Sequence, residues 1–259
     1  MTKVADAPVP SWVEQATSEQ SWVPRCPLCD ERSKACRLQI DHYGIAVGLS
    51  VCACGFVYLN PRVSQDAYLQ LFVSGGYREL QSRHVGYNVY EGLEEDQTRY
   101  GRALAAFIGR SLVEEGEGHR SFGDILDLGG SIGAVSRQFL SDRVVVVDPA
   151  FQEVPPDGIQ GVLKANAETS ANFDLVLICR TIDHIPDPVS FLETAVKHLV
   201  DDGYLWIDAI DYELVREVSF DLPSNFTQAT LMALVESCDL EVIAVRRDGR
   251  HVGVVCQRG

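Results

Sequence analysis

The stretch DLGGSIG, Asp127–Gly133, closes the apolar run DILDL and precedes AVSRQFL, so it reads as the turn between a buried strand and a helix. Glycine at 129 and 133 lets a backbone pass where a Cβ would collide, either with a ligand or with a packed helix. Working outward, RVVVV reads as a second buried strand ending in Asp148-Pro149, GVLKANAE as a third and FDLVLIC as a fourth. A helix from about Pro188 to Val200, the strand GYLWIDAI, the helix TQATLMALVESC and the strand LEVIAVRR follow. Asp248-Gly249 then leads into HVGVVCQR, a hairpin signal. Continuous apolar strands alternating with helices imply an α/β, doubly wound, Rossmann-like sheet of seven strands that ends in an antiparallel pair.

Such a turn suits an adenosyl cofactor, and its neighbours supply the matching groups. Asp148 ends the second strand, where a carboxylate accepts hydrogen bonds from ribose hydroxyls, with Pro149 beside it. Asp127 precedes the turn, where it can orient it or meet an ammonium group. Ala167 and Glu168 end the third strand, near where an adenine edge would lie. The nicotinamide fingerprint fits less well, because its second glycine falls on Ser131 and its third on Ala134.

DILDLGGSIG, VVVVDP, FDLVLICRTIDHIPDP, DDGYLWID and the closing helix and hairpin resemble, in order and spacing, the motifs of class I S-adenosylmethionine (SAM)-dependent methyltransferases over residues 120–259. The resemblance implies SAM as cofactor. It places Asp127, Gly129, Gly130, Ser131 and Gly133 at its methionine end, with serine at the middle glycine of the family pattern. The cofactor candidates are completed by Asp148, Pro149, Ala167, Glu168, Arg180, Tyr77 and Arg78. In TIDHIPDP, Asp183-His184 matches the Glu-His pair of related small-molecule methyltransferases, which makes both residues catalytic candidates. A histidine there would face the transferred methyl and take a proton from an acceptor hydroxyl or amine. Tyr77, Arg78, Tyr87, Tyr90 and Asp211 are candidates to hold the acceptor.

Eight cysteines are present, five of them between Cys26 and Cys54. Cys26-Pro-Leu-Cys29 and Cys52-Ala-Cys54 offer four thiolates, a closed tetrahedral set for a structural Zn2+, with Cys36 as a possible substitute. CPLC, CACGFVYLNPR and a following YR-containing helical segment resemble the start of zinc-ribbon-bearing methyltransferases associated with sugar or natural-product modification. The implied organisation is a leader over 1–20, a zinc-ribbon-like module over 21–63, a helical linker or lid over 64–118 and the SAM-binding domain over 119–259.

The formal net charge of −15 over 259 residues argues against a surface that tracks phosphate backbones. No signal-peptide core or membrane-length apolar run is visible, so a cytoplasmic protein with a small-molecule acceptor is expected. The leading reading is methyl transfer to a sugar or secondary-metabolite hydroxyl. An RNA methyltransferase with a basic cleft of Arg78, Arg83, Arg99 and Arg102, or a non-catalytic binding module, are the alternatives.

Overall fold

A computed structural model describes residues 20–34, 36–89, 91–116, 121–150, 161–163, 172–216 and 218–258. Two sheets organise them. The larger has seven strands in the order β10-β11-β8-β7-β4-β5-β6, formed by β4 (Phe122–Leu128), β5 (Ser141–Val147), β6 (Gly161–Leu163), β7 (Phe173–Ile178), β8 (Leu199–Ile210), β10 (Leu240–Asp248) and β11 (His251–Arg258). Strands β4 to β8 pair in parallel, whereas β11 runs antiparallel to both β8 and β10. Asp248 faces His251 across a two-residue loop, as the Asp-Gly signal requires.

Alternation along the central strands divides the core. Ile125, Leu175 and Leu177 face helix α3 (Leu93–Glu114) through Leu104, Ile108 and Leu112. Leu126, Val176 and Ile178 face the opposite layer, helices α4 (Pro188–Val196) and α6 (Gln228–Glu236), through Leu192, Ala195, Leu231 and Leu234. Both faces are covered, which is why these strands read as unbroken apolar runs.

The smaller sheet is antiparallel, in the order β1 (Arg37–Ile40), β2 (Ala46–Val51), β3 (Val57–Leu59) and β9 (Ser224–Asn225). Its last strand comes from 165 residues further along the chain, through Val57↔Asn225 and Tyr58↔Ser224. Phe56 and Tyr58 join Phe226 in the core of the large sheet. On its other side the small sheet packs on helices α1 (Gln65–Val73) and α2 (Gly76–Val85). Asn60, fully buried, binds both backbone groups of Val23 and so ties the segment before Cys26 to the sheet. Among the described residues no helix is long and apolar enough to cross a membrane.

One sequence reading changes. AVSRQFL is not an α-helix: only a single 3-10 turn forms, at Ser136–Gln138. Strand β5 starts at Ser141, and α3 lies so close that a Cβ on Gly101 would stand 2.7 Å from the Val135 carbonyl, leaving no room for a wider helix. The third strand is seen as Gly161–Leu163, and the rest of GVLKANAE lies outside the described residues.

A Cβ on Gly253 would collide with the buried Trp206 ring. Gly253→Ala is therefore expected to lower stability by about 1–3 kcal/mol. Gly109, in the middle of α3 with open space where a Cβ would go, is the control: Gly109→Ala is expected to raise stability by about 1 kcal/mol. Urea unfolding of the two variants checks both signs.

Candidate functional site

The chain runs outward from β4 through β5 to β6, then returns to β7 on the other side of β4. The switch point between β4 and β7 is where open α/β sheets bind ligands. A cleft of about 2090 Å³ opens there. Its floor is the turn after β4 with Asp148 and Pro149, and one wall is the Cys179–His184 loop after β7. The other wall combines α1 and α2 with the β1–β2 turn, through Phe72, Tyr77, Arg78, His84, His42 and Tyr43.

The turn after β4 is held by glycine geometry. Gly129, Ser131 and Gly133 have φ of 75°, 53° and 70°. A Cβ on Gly129 would overlap Thr181, and one on Gly130 would overlap the Asp127 carboxyl. Ser131 thus departs from the family pattern at a left-handed position, where an L side chain is strained. Its N–H donates to Asp148 Oδ2 at 2.8 Å, while Ala150 N–H donates to Oδ1 at 2.8 Å. Asp148 therefore braces the turn and keeps lone pairs for a ligand.

Asp127 is fully buried, and neither carboxylate oxygen has a hydrogen-bond partner. Burial raises its pKa to about 7, the nearby Ser136 hydroxyl pulls back against that rise, and the charge of Asp148 adds a smaller upward push. An orphaned carboxylate beside a backbone without Cβ atoms fits a cationic ligand that approaches closely. The ammonium and sulfonium of SAM meet that description.

The loop after β7 carries the other groups. Arg180 has φ of 50°, its N–H donates to Asp208 Oδ1 at 2.7 Å, and its guanidinium lies 4.4 Å over the Tyr100 ring. Tyr100 in turn donates to Asp208 Oδ2 at 2.9 Å and accepts from Trp206 Nε1 at 3.2 Å. This buried network under the cleft floor was not visible in the sequence, since the partners of Tyr100, Asp208 and Trp206, lie far along the chain. Asp183 turns inward: it is buried and accepts from Ile210 N–H at 3.1 Å, and burial pushes its pKa well up. It ties the loop to the end of β8 while still lining the cleft.

His184 sits 2.7 Å through Nδ1 from the Asp221 carbonyl, and its Nε2 is 3.4 Å from the Tyr77 hydroxyl. A carbonyl only accepts, so Nδ1 carries the hydrogen and Nε2 presents a lone pair. Burial lowers the imidazole pKa, which keeps the ring neutral at pH 7. Gln81 Nε2 donates to the Tyr77 hydroxyl at 2.7 Å and Arg78 lies over its ring. Tyr77 and Arg78 thus meet His184 on one wall of the cleft. Tyr87 lines the same cleft and is exposed, whereas Asp211 caps helix α5 (Tyr212–Val215) by accepting from Glu213 N–H. Tyr90, Ala167 and Glu168 lie outside the described residues.

The Sγ atoms of Cys26, Cys29, Cys52 and Cys54 all lie within 4.8 Å of one another, with Cys26–Cys54 at 3.8 Å and Cys29–Cys52 at 3.5 Å. A tetrahedral Zn–S4 site with bonds near 2.3 Å has edges of about 3.8 Å, so the set fits. Cys36 is not part of it.

A family profile described as a methyltransferase domain matches residues 96–247. Among solved structures, a 1,6-didemethyltoxoflavin-N1-methyltransferase from Burkholderia thailandensis, bound to 1,6-didemethyltoxoflavin and S-adenosylhomocysteine (SAH), is 18% identical with a TM-score of 0.55. The similarity covers 87% of this chain and 99% of that one. The plantazolicin methyltransferase BamL, in complex with a triazolic desmethylPZN analog and SAH, is 12% identical with a TM-score of 0.52, covering 74% and 94%. No curated protein sequence matches the chain.

Ser131→Gly is expected to raise stability by about 1 kcal/mol by relieving the left-handed strain. Asp127 holds its proton more tightly folded than unfolded, so its contribution to stability is full below pH 3.8 and is lost as pH rises through about 7. Asp127→Asn is therefore expected to flatten the pH dependence and to gain up to about 4 kcal/mol at pH 8. Urea titrations of the ligand-free protein from pH 5 to 8 measure both.

Proposed function

The chain belongs to the methyltransferase-domain family, which its residues 96–247 match, and from that premise we propose that it transfers the methyl group of SAM to a hydroxyl of a small polar acceptor, a sugar or a secondary metabolite. The observation that carries the acceptor half is His184: a neutral imidazole whose Nε2 lone pair already faces a hydroxyl, that of Tyr77, at 3.4 Å. An acceptor hydroxyl that took the place of the Tyr77 hydroxyl would deliver its proton to Nε2.

SAM supplies a methyl made electrophilic by its sulfonium, so the protein's part is alignment and proton handling. Asp127 takes the cationic methionine end, the Gly129–Gly133 turn lets the ligand backbone lie close, and Asp148 uses its remaining lone pairs on the ribose. Pro149 and Arg180 border that ligand, with Ala167 and Glu168 proposed for the adenine. Tyr77 and Arg78 close the acceptor side with His184, while Asp183 holds the loop in place.

Two of the four arginines named for an RNA-binding cleft pair with carboxylates one turn away, Arg83 with Glu79 and Arg99 with Asp96, each at 2.6 Å. That favours the small-molecule reading over RNA and fits the charge of −15. We place the protein in the cytoplasm, where thiolates stay reduced. Zn2+ on Cys26, Cys29, Cys52 and Cys54 is structural in this reading, because sulfur fills all four positions.

Calorimetry with SAM and SAH tests the cofactor, and a tritiated-methyl transfer assay over sugars and phenols tests the acceptor. Absence of SAM binding at millimolar concentration, with the metal loaded, would overturn the reading. Because the ammonium needs ionised Asp127, SAM affinity is expected to fall as pH drops below about 7, approaching tenfold per pH unit, and Asp127→Asn is expected to abolish that slope. His184→Gln is expected to lower kcat by about 10²–10⁴ with SAM binding unchanged. Chelation should release about one zinc per chain and lower the melting temperature.

A further inference from the structure

We propose that Asp41, in the turn of the cysteine-bearing module, is a positioning residue for His184 that acts through the Phe220 peptide and the Asp221 carbonyl. The inference rests on the reading of His184 as the group that takes the acceptor's proton. It assigns the module a task in the active site beyond holding a metal.

The chain of contacts is continuous. Asp41 is 7% exposed, and its Oδ1 accepts from Tyr43 N–H at 2.9 Å and Ile45 N–H at 2.8 Å, which shapes the β1–β2 turn. Its other oxygen, Oδ2, accepts from Phe220 N–H at 2.8 Å, a bond that spans 179 residues. The carbonyl of the same residue, Phe220, accepts from the Tyr68 hydroxyl at 3.2 Å. One residue on, the Asp221 carbonyl accepts the Nδ1 hydrogen of His184 at 2.7 Å. Residues 218–222 have no helix or strand to hold them.

The remaining polar contacts near this stretch do not replace the clamp. Ser219 hydroxyl to Asp221 side chain and Leu222 N–H to Ser219 carbonyl are internal to the segment, and the Tyr43 side chain that Ser219 also meets belongs to the same β1–β2 turn that Asp41 shapes. The next anchors, Leu59 N–H to Pro223 carbonyl and Ser224 hydroxyl to Ile185 carbonyl, act only downstream of Asp221. Upstream of it, Phe220 is fixed by its apolar ring among Ile45 and Tyr68 and by the two bonds from Asp41 and Tyr68.

The consequence falls on the imidazole tautomer. With the Asp221 carbonyl in place, the hydrogen stays on Nδ1 and Nε2 keeps its lone pair. With the carbonyl displaced, the Nε2–H tautomer competes, and the nitrogen that faces the acceptor can no longer take a proton. Asp41 thereby sets the fraction of His184 in the useful state without touching it.

Asp41→Asn separates this role from turn formation. The asparagine Oδ1 still accepts both turn N–H groups, whereas Nδ2 sets hydrogens against Phe220 N–H and breaks the long-range bond. The experiment records long-range 1H–15N spectra of the full, zinc-loaded chain with 15N-labelled histidine and SAH, with His184 assigned by its absence in His184→Gln. The wild-type protein is expected to show a single Nδ1–H tautomer for His184, and Asp41→Asn a mixture with the Nε2–H form. Tyr68→Phe, which deletes one hydroxyl, is expected to shift the same signals in the same sense and carries the test if Asp41→Asn does not fold. An unchanged Nδ1–H pattern in the folded variants would overturn the proposal, even if their stability fell. The base reading fails separately, when His184→Gln retains methyl transfer, whatever the tautomer does.

Discussion

No side chain fits at residues 129 and 130, because Thr181 lies against one and the Asp127 carboxyl against the other. That closeness brings the end of β4 against the loop after β7 and leaves the backbone of the turn as the cleft's floor. Everything placed around the ligand follows from it. Asp148 reaches the turn because the turn is tight, and Thr181 meets Gly129 because the β7 loop crosses directly over it. The left-handed φ of Ser131 belongs to the same constraint, since its N–H must point at Asp148 to close the brace. Strain at that one serine is balanced by a partly buried hydrogen bond to a carboxylate, the kind of local conflict that accumulates at functional sites.

What was legible in the sequence was whatever depends on near neighbours. The central strands were readable because burial on both faces makes them apolar runs, and the last hairpin because Asp-Gly demands one turn type. The cysteine set was readable because thiolates at knuckle spacing have few other uses. The helix expected at AVSRQFL failed for a non-local reason: Gly101 of α3 packs on Val135 and leaves width only for a 3-10 turn. The pairing of Val57 with Asn225 has no local signature at all, and neither does the bond from Asp41 to Phe220. Asp183-His184 was readable as a pair at the cleft, but the bonds that set each side chain, Asp183 with Ile210 N–H and His184 with the Asp221 carbonyl, lie far off in the chain.

The small sheet changes how the cysteine-bearing module should be understood. Its strand β9 leaves the large sheet's connections and returns to them, so the module shares backbone hydrogen bonds and the Phe56–Phe226 contact with the catalytic half. Arg62 donates to the Pro186 carbonyl, just past His184, and Asn60 fixes the segment that leads to Cys26. A metal at the cysteines would hold the far end of this same sheet. Module, β9 and the 218–222 segment therefore form one mechanical unit, whose free edge lines the cleft.

The distribution of buried acids argues for what the cleft awaits. Asp148 braces the turn, Asp183 holds Ile210, Asp208 holds Arg180 and Tyr100, and Asp41 holds Phe220. Each is buried, and each has a donor that compensates its desolvation. Among the described residues Asp127 alone is a buried carboxylate with neither oxygen satisfied. A protein already at −15 gains nothing from another unpaired acid in its interior, and a neutral residue there would fold more readily. The persistence of the acid at 127 is explained if its partner arrives from outside. In the proposed reading that partner is the ammonium of the cofactor's methionine end, cationic, small enough to lie against a glycine backbone, and present whenever the enzyme works.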